Sequence, residues 1–246
     1  MSSSFFSKNQ IKLDEVVSTN DFLFDLDKMK FIDSNIVVTA NFQKSGRGKK
    51  IRKWESKKGK NLLLSILFKH ELKFNEQFNF SIIVSLALKD LLTEILDDEV
   101  FIKWPNDIIV KDKKIAGFII ENKRSNSVIH TSVLGIGLNI NQSLFQAYVP
   151  EATSIIKLIK KESDIDSIKD KLLLYLEKYY LSEYTLAENL NKYNDCLYAK
   201  NIDLKFRSRN KTFNGRIQRV IESGNIVIKM AKNEKSVELN ELEYIY

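Results

Sequence analysis

Nine lysine and arginine side chains, with Glu55 as the one acid, occur in residues 44–60, KSGRGKKIRKWESKKGK. The formal charge of this segment, nine minus one or +8, exceeds the +7 of the whole chain, so the remainder is close to neutral. Gly46, Gly48 and Gly59 interrupt the charges and let backbone approach a ligand. This basic loop predicts an anionic partner: nucleotide phosphates, nucleic acid or an acidic protein surface.

The segment KWPND, residues 103–107, ends a strand-like run with a proline, an amide and a carboxylate. Pro105 interrupts strand pairing because it has no backbone N–H. On one interpretation, Asn106 and Asp107 only close a turn. On the other, Lys103 and Asp107 line a cleft in which Asp107 holds a metal ion or orients a base.

The next strand-like run opens with KIAG, residues 114–117. Lys114 is either an ordinary surface charge of a hairpin or a second cation of the cleft. Gly117 favours the cleft, because a glycine inside a strand removes a side chain where a ligand or backbone approaches. Glu121, at the end of this run, is expected only to pair with a nearby lysine.

Two further glycines, Gly135 and Gly137, lie in GIGLN, residues 135–139. Neither this segment nor the basic loop has the GxxxxGK[ST] spacing of a phosphate-binding loop. The dinucleotide fingerprint also fails, because Ile140 stands where a third small residue is needed. Neither standard nucleotide-binding fold is therefore indicated.

The chain has few residues for thiol or imidazole chemistry: one cysteine, Cys196, and two histidines, His70 and His130. A lone cysteine excludes an intramolecular disulfide and makes a zinc cluster implausible. No apolar run reaches the roughly 18 residues of a membrane helix, and the first residues lack the features of a secretory signal. We predict a soluble, cytoplasmic protein that does not contact membranes.

The hydrophobic pattern predicts the elements that position these residues. A helix begins after the cap Ser18, an apolar helix covers residues 78–96, and one long helix covers residues 163–190. A two-residue turn at 112–113 joins two of the strands into a hairpin. The predicted strands are 36–40, 62–68, 100–104, 108–110, 115–120, 128–140, 202–206, 212–221, 225–230 and 236–239. The last four fit a small all-β barrel appended to an α/β body.

Taken together, these segments resemble the biotin–protein ligases, also called biotin–[acetyl-CoA-carboxylase] ligases. The matching motifs, in order, are STN at 18–20, Gln43, GRG at 46–48, RKW at 52–54, KWPND, KIAG and GIGLN. The match is close over about residues 14–140 and rests on layout elsewhere. It implies an α+β fold: a mixed β-sheet flanked by helices, as in class II synthetases, in residues 1–190, and an SH3-like β-barrel in residues 191–246.

The resemblance also implies two half-reactions. Biotin and ATP, with Mg²⁺, first form biotinyl-5′-adenylate and pyrophosphate. A lysine of a biotin carboxyl carrier domain then attacks the mixed anhydride and becomes biotinylated. Because this chemistry brings anions together, it needs fixed positive charge more than a covalent nucleophile, which agrees with a chain rich in lysine and poor in cysteine and histidine.

The resemblance assigns roles to individual residues of the motifs. Catalysis is expected from Lys114, Lys103, Arg47 and Asp107, of which Asp107 is also the candidate Mg²⁺ ligand. Biotin is expected to contact Ser18, Thr19, Asn20, Gln43, Gly46, Arg47, Gly48, Lys49, Lys114 and Gly117. The nucleotide is expected to contact Lys49, Arg52, Trp54, Lys103, Asn106 and Asn139.

Three alternatives stay open at this point. A lipoate–protein ligase shares the adenylate chemistry, although KWPND together with GRG favours biotin. A nucleic-acid-binding module would use the basic loop but leaves KWPND, KIAG and GIGLN unexplained. A non-catalytic carrier-binding protein is disfavoured by Lys103, Asp107 and Lys114. We expect no DNA-binding N-terminal domain of the kind that some family members have, and therefore neither repressor activity nor sequence-specific DNA binding. A homodimer, formed by some members through a sheet edge, is an open alternative.

One residue departs from the family pattern. The family usually reads Gly-Arg-Gly-Arg, whereas Lys49 takes the fourth position here. Lysine offers a point charge in place of a planar fork that makes two hydrogen bonds. We therefore expect biotinyl-adenylate to be held less tightly than an arginine would hold it. Lys49→Arg should slow dissociation of the intermediate, and an unchanged dissociation rate would contradict this expectation.

Overall fold

The computed structural model describes residues 6, 9–29, 34–48, 53–73, 76–147, 150–209, 211–239 and 241–245. Its strands and helices in the first part of the chain are β1 (Gln10–Val16), α1 (Thr19–Lys28), β2 (Ile36–Gln43), β3 (Asn61–Lys73), α2 (Gln77–Leu96), β4 (Val100–Lys103), β5 (Asp107–Val110), β6 (Lys113–Ser125) and β7 (Val128–Asn139). The remaining elements are α3 (Ile155–Ile159), α4 (Ile165–Tyr180), α5 (Leu186–Asp195), β8 (Asp203–Ser208), β9 (Lys211–Val220), β10 (Ile226–Lys229), β11 (Glu234–Val237) and β12 (Glu243–Ile245).

The strands form two sheets. A seven-stranded sheet has the order β1-β2-β3-β7-β6-β5-β4, with β1 parallel to β2 and the other pairs antiparallel. A five-stranded antiparallel sheet, with the order β11-β10-β9-β8-β12, follows at the C-terminal end. The predicted α+β class, with a mixed sheet flanked by helices and a small C-terminal β unit, is confirmed.

Different helices pack on the two faces of the seven-stranded sheet. On one face, α2 and α4 bury the large hydrophobic core, to which β7 contributes Leu134, Ile136 and Leu138. On the other face, α1 places Leu23 against Val133 and its neighbours in a much smaller core. Alternate residues of a strand point to opposite faces. The odd-numbered residues of β7 therefore lie on the α1 face, where the sheet is only partly covered.

Side-chain capping explains where α1 and α5 begin. Ser18 caps α1 as predicted, and its hydroxyl accepts a hydrogen bond from the Asp21 backbone N–H at 3.4 Å. The single helix predicted over residues 163–190 is wrong. Thr185 and Glu188 form a capping box that starts α5 as a separate helix after the chain leaves α4. The short helix α3 was not predicted.

The remaining differences from the predicted elements are small. The turn between β5 and β6 consists of Lys111 and Asp112, both with positive φ (49° and 59°), so it lies one residue earlier than predicted. The strand predicted at 236–239 is β11, shifted toward the N-terminus, and the edge strands β1 and β12 were not predicted. The division into residues 1–190 and 191–246 stays a prediction, and α5, which spans that boundary, contacts both α2 and β9.

Trp104 connects the β4–β5 hairpin to the C-terminal sheet. Its side chain is 2% exposed, and its indole Nε1 donates a hydrogen bond to the Gly224 carbonyl at 2.9 Å, in the turn before β10. No helix among the described residues has the length and apolar character needed to span a membrane.

Trp104→Phe should lower the free energy of unfolding by about 1–3 kcal/mol, because it leaves the buried Gly224 carbonyl without a donor. Equilibrium urea unfolding measures the change. Trp54→Phe is the matched control, because the buried Nε1 of Trp54 has no hydrogen-bond partner among the described residues. Equal shifts for the two variants would contradict the role given to the Trp104 hydrogen bond.

Candidate active site

One large cavity, of about 1130 Å³, lies between the α1 face of the seven-stranded sheet, the basic loop and the C-terminal sheet. Most predicted site residues line it: Ser18, Thr19, Asn20, Gln43, Arg47, Gly48, Trp54, Lys103, Asn106, Asp107, Lys114, Gly117 and Asn139. Gly46 is not among the lining residues, although its carbonyl accepts the backbone N–H of Trp54 at 2.9 Å. Lys49 and Arg52 lie outside the described residues.

The floor of the cavity is a row of residues paired across four strands. Gly137 on β7 pairs with Gly117 on β6, Gly117 with Asp107 on β5, and Asp107 with Lys103 on β4. Because adjacent strands lie about 4.8 Å apart, the row brings KWPND, KIAG and GIGLN together although they are separate in sequence. The structure thereby unites the three motifs that the sequence analysis singled out.

Two glycines of GIGLN are required by their neighbours rather than by backbone conformation. A side chain at Gly135 would collide with the amide of Asn20, and one at Gly137 would collide with the indole of Trp54. The indole of Trp54 therefore packs directly against the sheet at Gly137. These glycines let α1 and the basic loop approach the strands closely.

Lys114 is directed into the cavity by an irregularity in its strand. The register between β5 and β6 shifts between Ile108 and Ile109, so that Lys114 and Ala116 pair with consecutive residues. The extra residue, Ile115, puts Lys114 on the same face as Gly117, as a β-bulge does. The Lys114 Nζ lies 2.6 Å from Asp107 Oδ1 and 5.4 Å from the ring centroid of Trp54.

The backbone of Lys114 is held as well as its side chain. Its N–H donates to the Glu151 carbonyl at 2.7 Å, and its carbonyl accepts from the Thr153 N–H at 2.8 Å. The space beside Gly117 is filled by Lys114 and Asp107, since a Cβ there would lie 3.0 Å from Lys114 Nζ. Gly117 therefore makes room for the Lys114–Asp107 ion pair.

A buried cluster of neutral side chains forms one end of the cavity. Gln43 Oε1 accepts a hydrogen bond from the Thr19 N–H at 2.8 Å and lies 2.9 Å from the Thr19 hydroxyl oxygen. Ser65 Oγ lies 2.6 Å from both Thr19 Oγ1 and Asn20 Oδ1. Thr19, Asn20 and Ser65 are all buried. Side chains of this kind can recognise an uncharged polar group by hydrogen bonding.

Arg47 of the basic loop is held against this neutral end by two carboxylates. Its Nη2 donates to Asp21 Oδ1 at 2.6 Å and to Glu121 Oε2 at 3.0 Å. The expectation that Glu121 pairs only with a lysine is wrong, because its partners are Arg47 and the Asn20 amide. The sequence analysis missed Asp21 and Ser65, and neither carries a motif by which it could have been found.

The C-terminal sheet supplies the opposite wall. Lys103 is 8% exposed, and its Nζ lies 4.7 Å from the ring centroid of Tyr244 on β12. Arg207 and Arg209 also line the cavity, where they pair with Glu243 at 3.1 Å and with Glu241 at 2.8 Å. These wall residues were not predicted, because they follow no motif and reach the cavity only through tertiary packing.

The two asparagines of the motifs have different surroundings. Asn106 Nδ2 donates to the Phe118 carbonyl at 2.6 Å, so this side chain does close the turn onto β6. Asn139 Nδ2 donates to the Thr153 carbonyl at 2.9 Å, whereas its buried Oδ1 has no hydrogen-bond partner among the described residues. A buried amide oxygen without a donor is costly, which marks Asn139 as an acceptor available to a ligand.

The residues best suited to nucleophilic chemistry lie elsewhere. Cys196, His70 and His130 do not line the cavity. Burial raises the pKa of the Cys196 thiol and lowers the pKa of the His70 imidazole, so neither is charged near pH 7. Within the described ranges, no three His, Cys, Asp or Glu side chains are grouped closely enough to hold a metal ion. The cavity offers fixed charge and hydrogen bonds.

Comparison with known proteins agrees with this geometry. The chain is 26% identical over 212 residues, 84% of its length, to the bifunctional ligase/repressor BirA of Bacillus subtilis, and it spans just under two thirds (65%) of that relative. It is 25% identical over 202 residues to the biotin–[acetyl-CoA-carboxylase] ligase of Mycobacterium tuberculosis, covering 80% of this chain and 69% of the relative.

A solved structure supports the fold. The biotin protein ligase of Aquifex aeolicus in complex with biotin and ATP superimposes with a TM-score of 0.79 at 24% identity, covering 97% of this chain and 99% of that one. The family model described as biotin/lipoate A/B protein ligase matches residues 13–139, more than half of the 246 residues. The chain therefore belongs to the biotin/lipoate A/B protein ligase family.

Proposed function

We propose that the chain is a biotin–protein ligase, which activates biotin with ATP and transfers it to a lysine of a biotin carboxyl carrier domain of acetyl-CoA carboxylase or a related carboxylase. The observation that carries this proposal is the convergence of Arg47, Lys103 and Lys114 on one cavity that ends in buried neutral hydrogen-bonding groups. Two of the proteins named above, from Mycobacterium tuberculosis and Aquifex aeolicus, are ligases for biotin by name. The reaction's ATP and carrier domain would be met in the cytoplasm.

In the first half-reaction, a carboxylate oxygen of biotin attacks the α-phosphorus of ATP, and the bond to pyrophosphate breaks. Both reactants are anions, so the approach is opposed by repulsion that fixed cations offset. Lys114 is the residue we assign to the bridging position between carboxylate and α-phosphate. Its contact with Asp107 at 2.6 Å holds the ammonium over the floor of the cavity, and Arg47 supplies the second charge.

The neutral end of the cavity suits the uncharged ring system of biotin. We assign recognition of the ureido group to Ser18, Thr19, Asn20 and Gln43. The Gln43 carbonyl is occupied by Thr19, so its amide nitrogen remains as a donor for the ureido oxygen. By resemblance, Gly46, Gly48 and Lys49 of the basic loop would cover the biotin tail.

The nucleotide is assigned to the side of the cavity that faces the C-terminal sheet. Lys103 lies there, against Tyr244. Asn139 lines the same cavity, and its unpartnered Oδ1 suits a donor on the base or ribose. The ring of Trp54, which is partly exposed and lies beside Lys114, offers a surface on which a base can stack. Asn106 and, in the basic loop, Arg52 complete the nucleotide contacts that the family resemblance implies.

Mg²⁺ fits this site as a companion of the phosphates. The described residues provide no cage of three ligating side chains, whereas Mg²⁺ at phosphate sites needs only one or two carboxylates. Asp107 is the carboxylate of the floor and is the ligand we assign. When bound, the ion would neutralise phosphate charge, and Lys103 and Lys114 would add positive charge from the protein side.

In the second half-reaction, the acceptor lysine attacks the activated carbonyl, an amide forms and AMP leaves. A lipoate–protein ligase is the alternative, since the family model covers both vitamins. The similarity to the biotin ligases of Mycobacterium tuberculosis and Aquifex aeolicus, together with the KWPND and GRG motifs, favours biotin.

The direct test is incubation of the protein with Mg-ATP, a biotin carboxyl carrier domain and either biotin or lipoate. We expect mass spectrometry to show addition of one biotinyl group to the carrier and no addition of lipoyl. A carrier whose acceptor lysine is replaced by arginine is the control and should remain unmodified. Addition of lipoyl without biotinyl would show that the chain is a lipoate–protein ligase. No modification with either vitamin would refute the proposal.

A further inference from the structure

Glu121 lies beside the cavity, where it joins the sheet to α1 and to the basic loop through two cavity-lining residues, Asn20 and Arg47. It is on β6, on the same face as Gly117, and its side chain is 33% exposed. A single oxygen, Oε2, accepts a hydrogen bond from Asn20 Nδ2 at 2.7 Å and another from Arg47 Nη2 at 3.0 Å. No motif of the sequence includes this residue.

The carboxylate fixes the orientation of the Asn20 amide. A carboxylate can only accept hydrogen bonds, so the amide nitrogen of Asn20 must face Glu121 and the amide oxygen must face Ser65. Asn20 is 3% exposed, so water cannot readily replace either partner. The Ser65 hydroxyl then donates its one hydrogen to Asn20 Oδ1, 2.6 Å away.

The direction of the Ser65 hydrogen bond in turn determines which groups donate and which accept among the next side chains. Since the Ser65 hydrogen is used, Ser65 can only accept from Thr19, at 2.6 Å. The Thr19 N–H is directed at Gln43 Oε1, which turns the Gln43 amide nitrogen away from Thr19. One charged residue therefore sets the pattern of donors and acceptors along the neutral end of the cavity.

Glu121 acts in a second way through Arg47. Both hydrogens of Arg47 Nη2 are used, one by Glu121 and one by Asp21. A guanidinium has five N–H donors, and the other three, on Nε and Nη1, make no hydrogen bond within the part of the chain that the structure describes. The two carboxylates thus hold the guanidinium at the cavity while leaving most of its donors for a ligand.

We propose that Glu121 is a positioning residue for biotin: it fixes the Asn20 amide and, with Asp21, places Arg47, so that both groups are ordered before the vitamin binds. The inference rests on the proposed function, because it names the ligand of the same cavity. A surface ion pair alone contributes little. The effect of Glu121 comes from the buried amide that shares its oxygen.

The test compares two substitutions. Glu121→Gln keeps the shape and a carbonyl oxygen that Asn20 can use, but it removes the charge that holds Arg47. Glu121→Leu removes both contacts. By isothermal titration with biotin alone, we expect affinity to fall about 3- to 10-fold in the glutamine variant and about 10- to 100-fold in the leucine variant, as loss of one and then two hydrogen-bonding roles predicts.

A matched control and a kinetic measurement separate positioning from folding. Glu94→Gln breaks a comparable carboxylate contact, with Lys171 at 2.6 Å between α2 and α4, and should leave biotin affinity unchanged. In ATP–pyrophosphate exchange, the Glu121 variants should raise the KM for biotin and leave the KM for ATP within about twofold, because a merely structural defect would change both.

The outcomes distinguish this inference from the function on which it rests. Failure of the unaltered protein to bind biotin would refute the proposed function and the inference with it. Binding by the unaltered protein and equally tight binding by Glu121→Leu would refute the inference alone. A parallel rise in both KM values would also overturn it, whereas the graded loss of biotin affinity would support it.

Discussion

Repulsion among the positive side chains of one cavity is the constraint on which the site depends. Arg47 and Lys114 point into a shared space, and each is held by a carboxylate of the protein: Asp21 and Glu121 hold Arg47, and Asp107 holds Lys114. These pairs keep the cations together and oriented. A substrate with two anionic groups can then bind the remaining donors of these cations without the site having to be assembled during the reaction.

The seven-stranded sheet makes this arrangement possible in two ways. Side chains along each strand alternate between the two faces, and β6 carries a bulge near the site. The face toward α2 and α4 is filled with apolar side chains, while the opposite face carries glycines where α1 and Trp54 approach. The bulge at Ile115 places Lys114 above Gly117 and beside Asp107. Rigid strands thus hold the ammonium and the carboxylate, and the basic loop contributes Arg47 from above.

The elements and contacts that could be predicted from sequence were those marked by residues close together in the chain. The pattern of β7 and the cap of α1 were predicted because alternation and capping involve neighbouring residues. The break between α4 and α5 was missed because apolar spacing continued across it, and β12 was missed because it pairs only through the C-terminal sheet. Glu121 and Asn20 are 101 residues apart, so no local pattern indicates their contact.

The central claim is that Lys114 offsets repulsion between carboxylate and phosphate, and two adjacent lysines test it. Lys113 pairs with Glu151 at 2.6 Å and does not line the cavity. Biotin-dependent ATP–pyrophosphate exchange should fall at least about 10²- to 10³-fold in Lys114→Ala and remain near normal in Lys113→Ala, with both variants folded by circular dichroism. Near-normal exchange in Lys114→Ala would contradict the account.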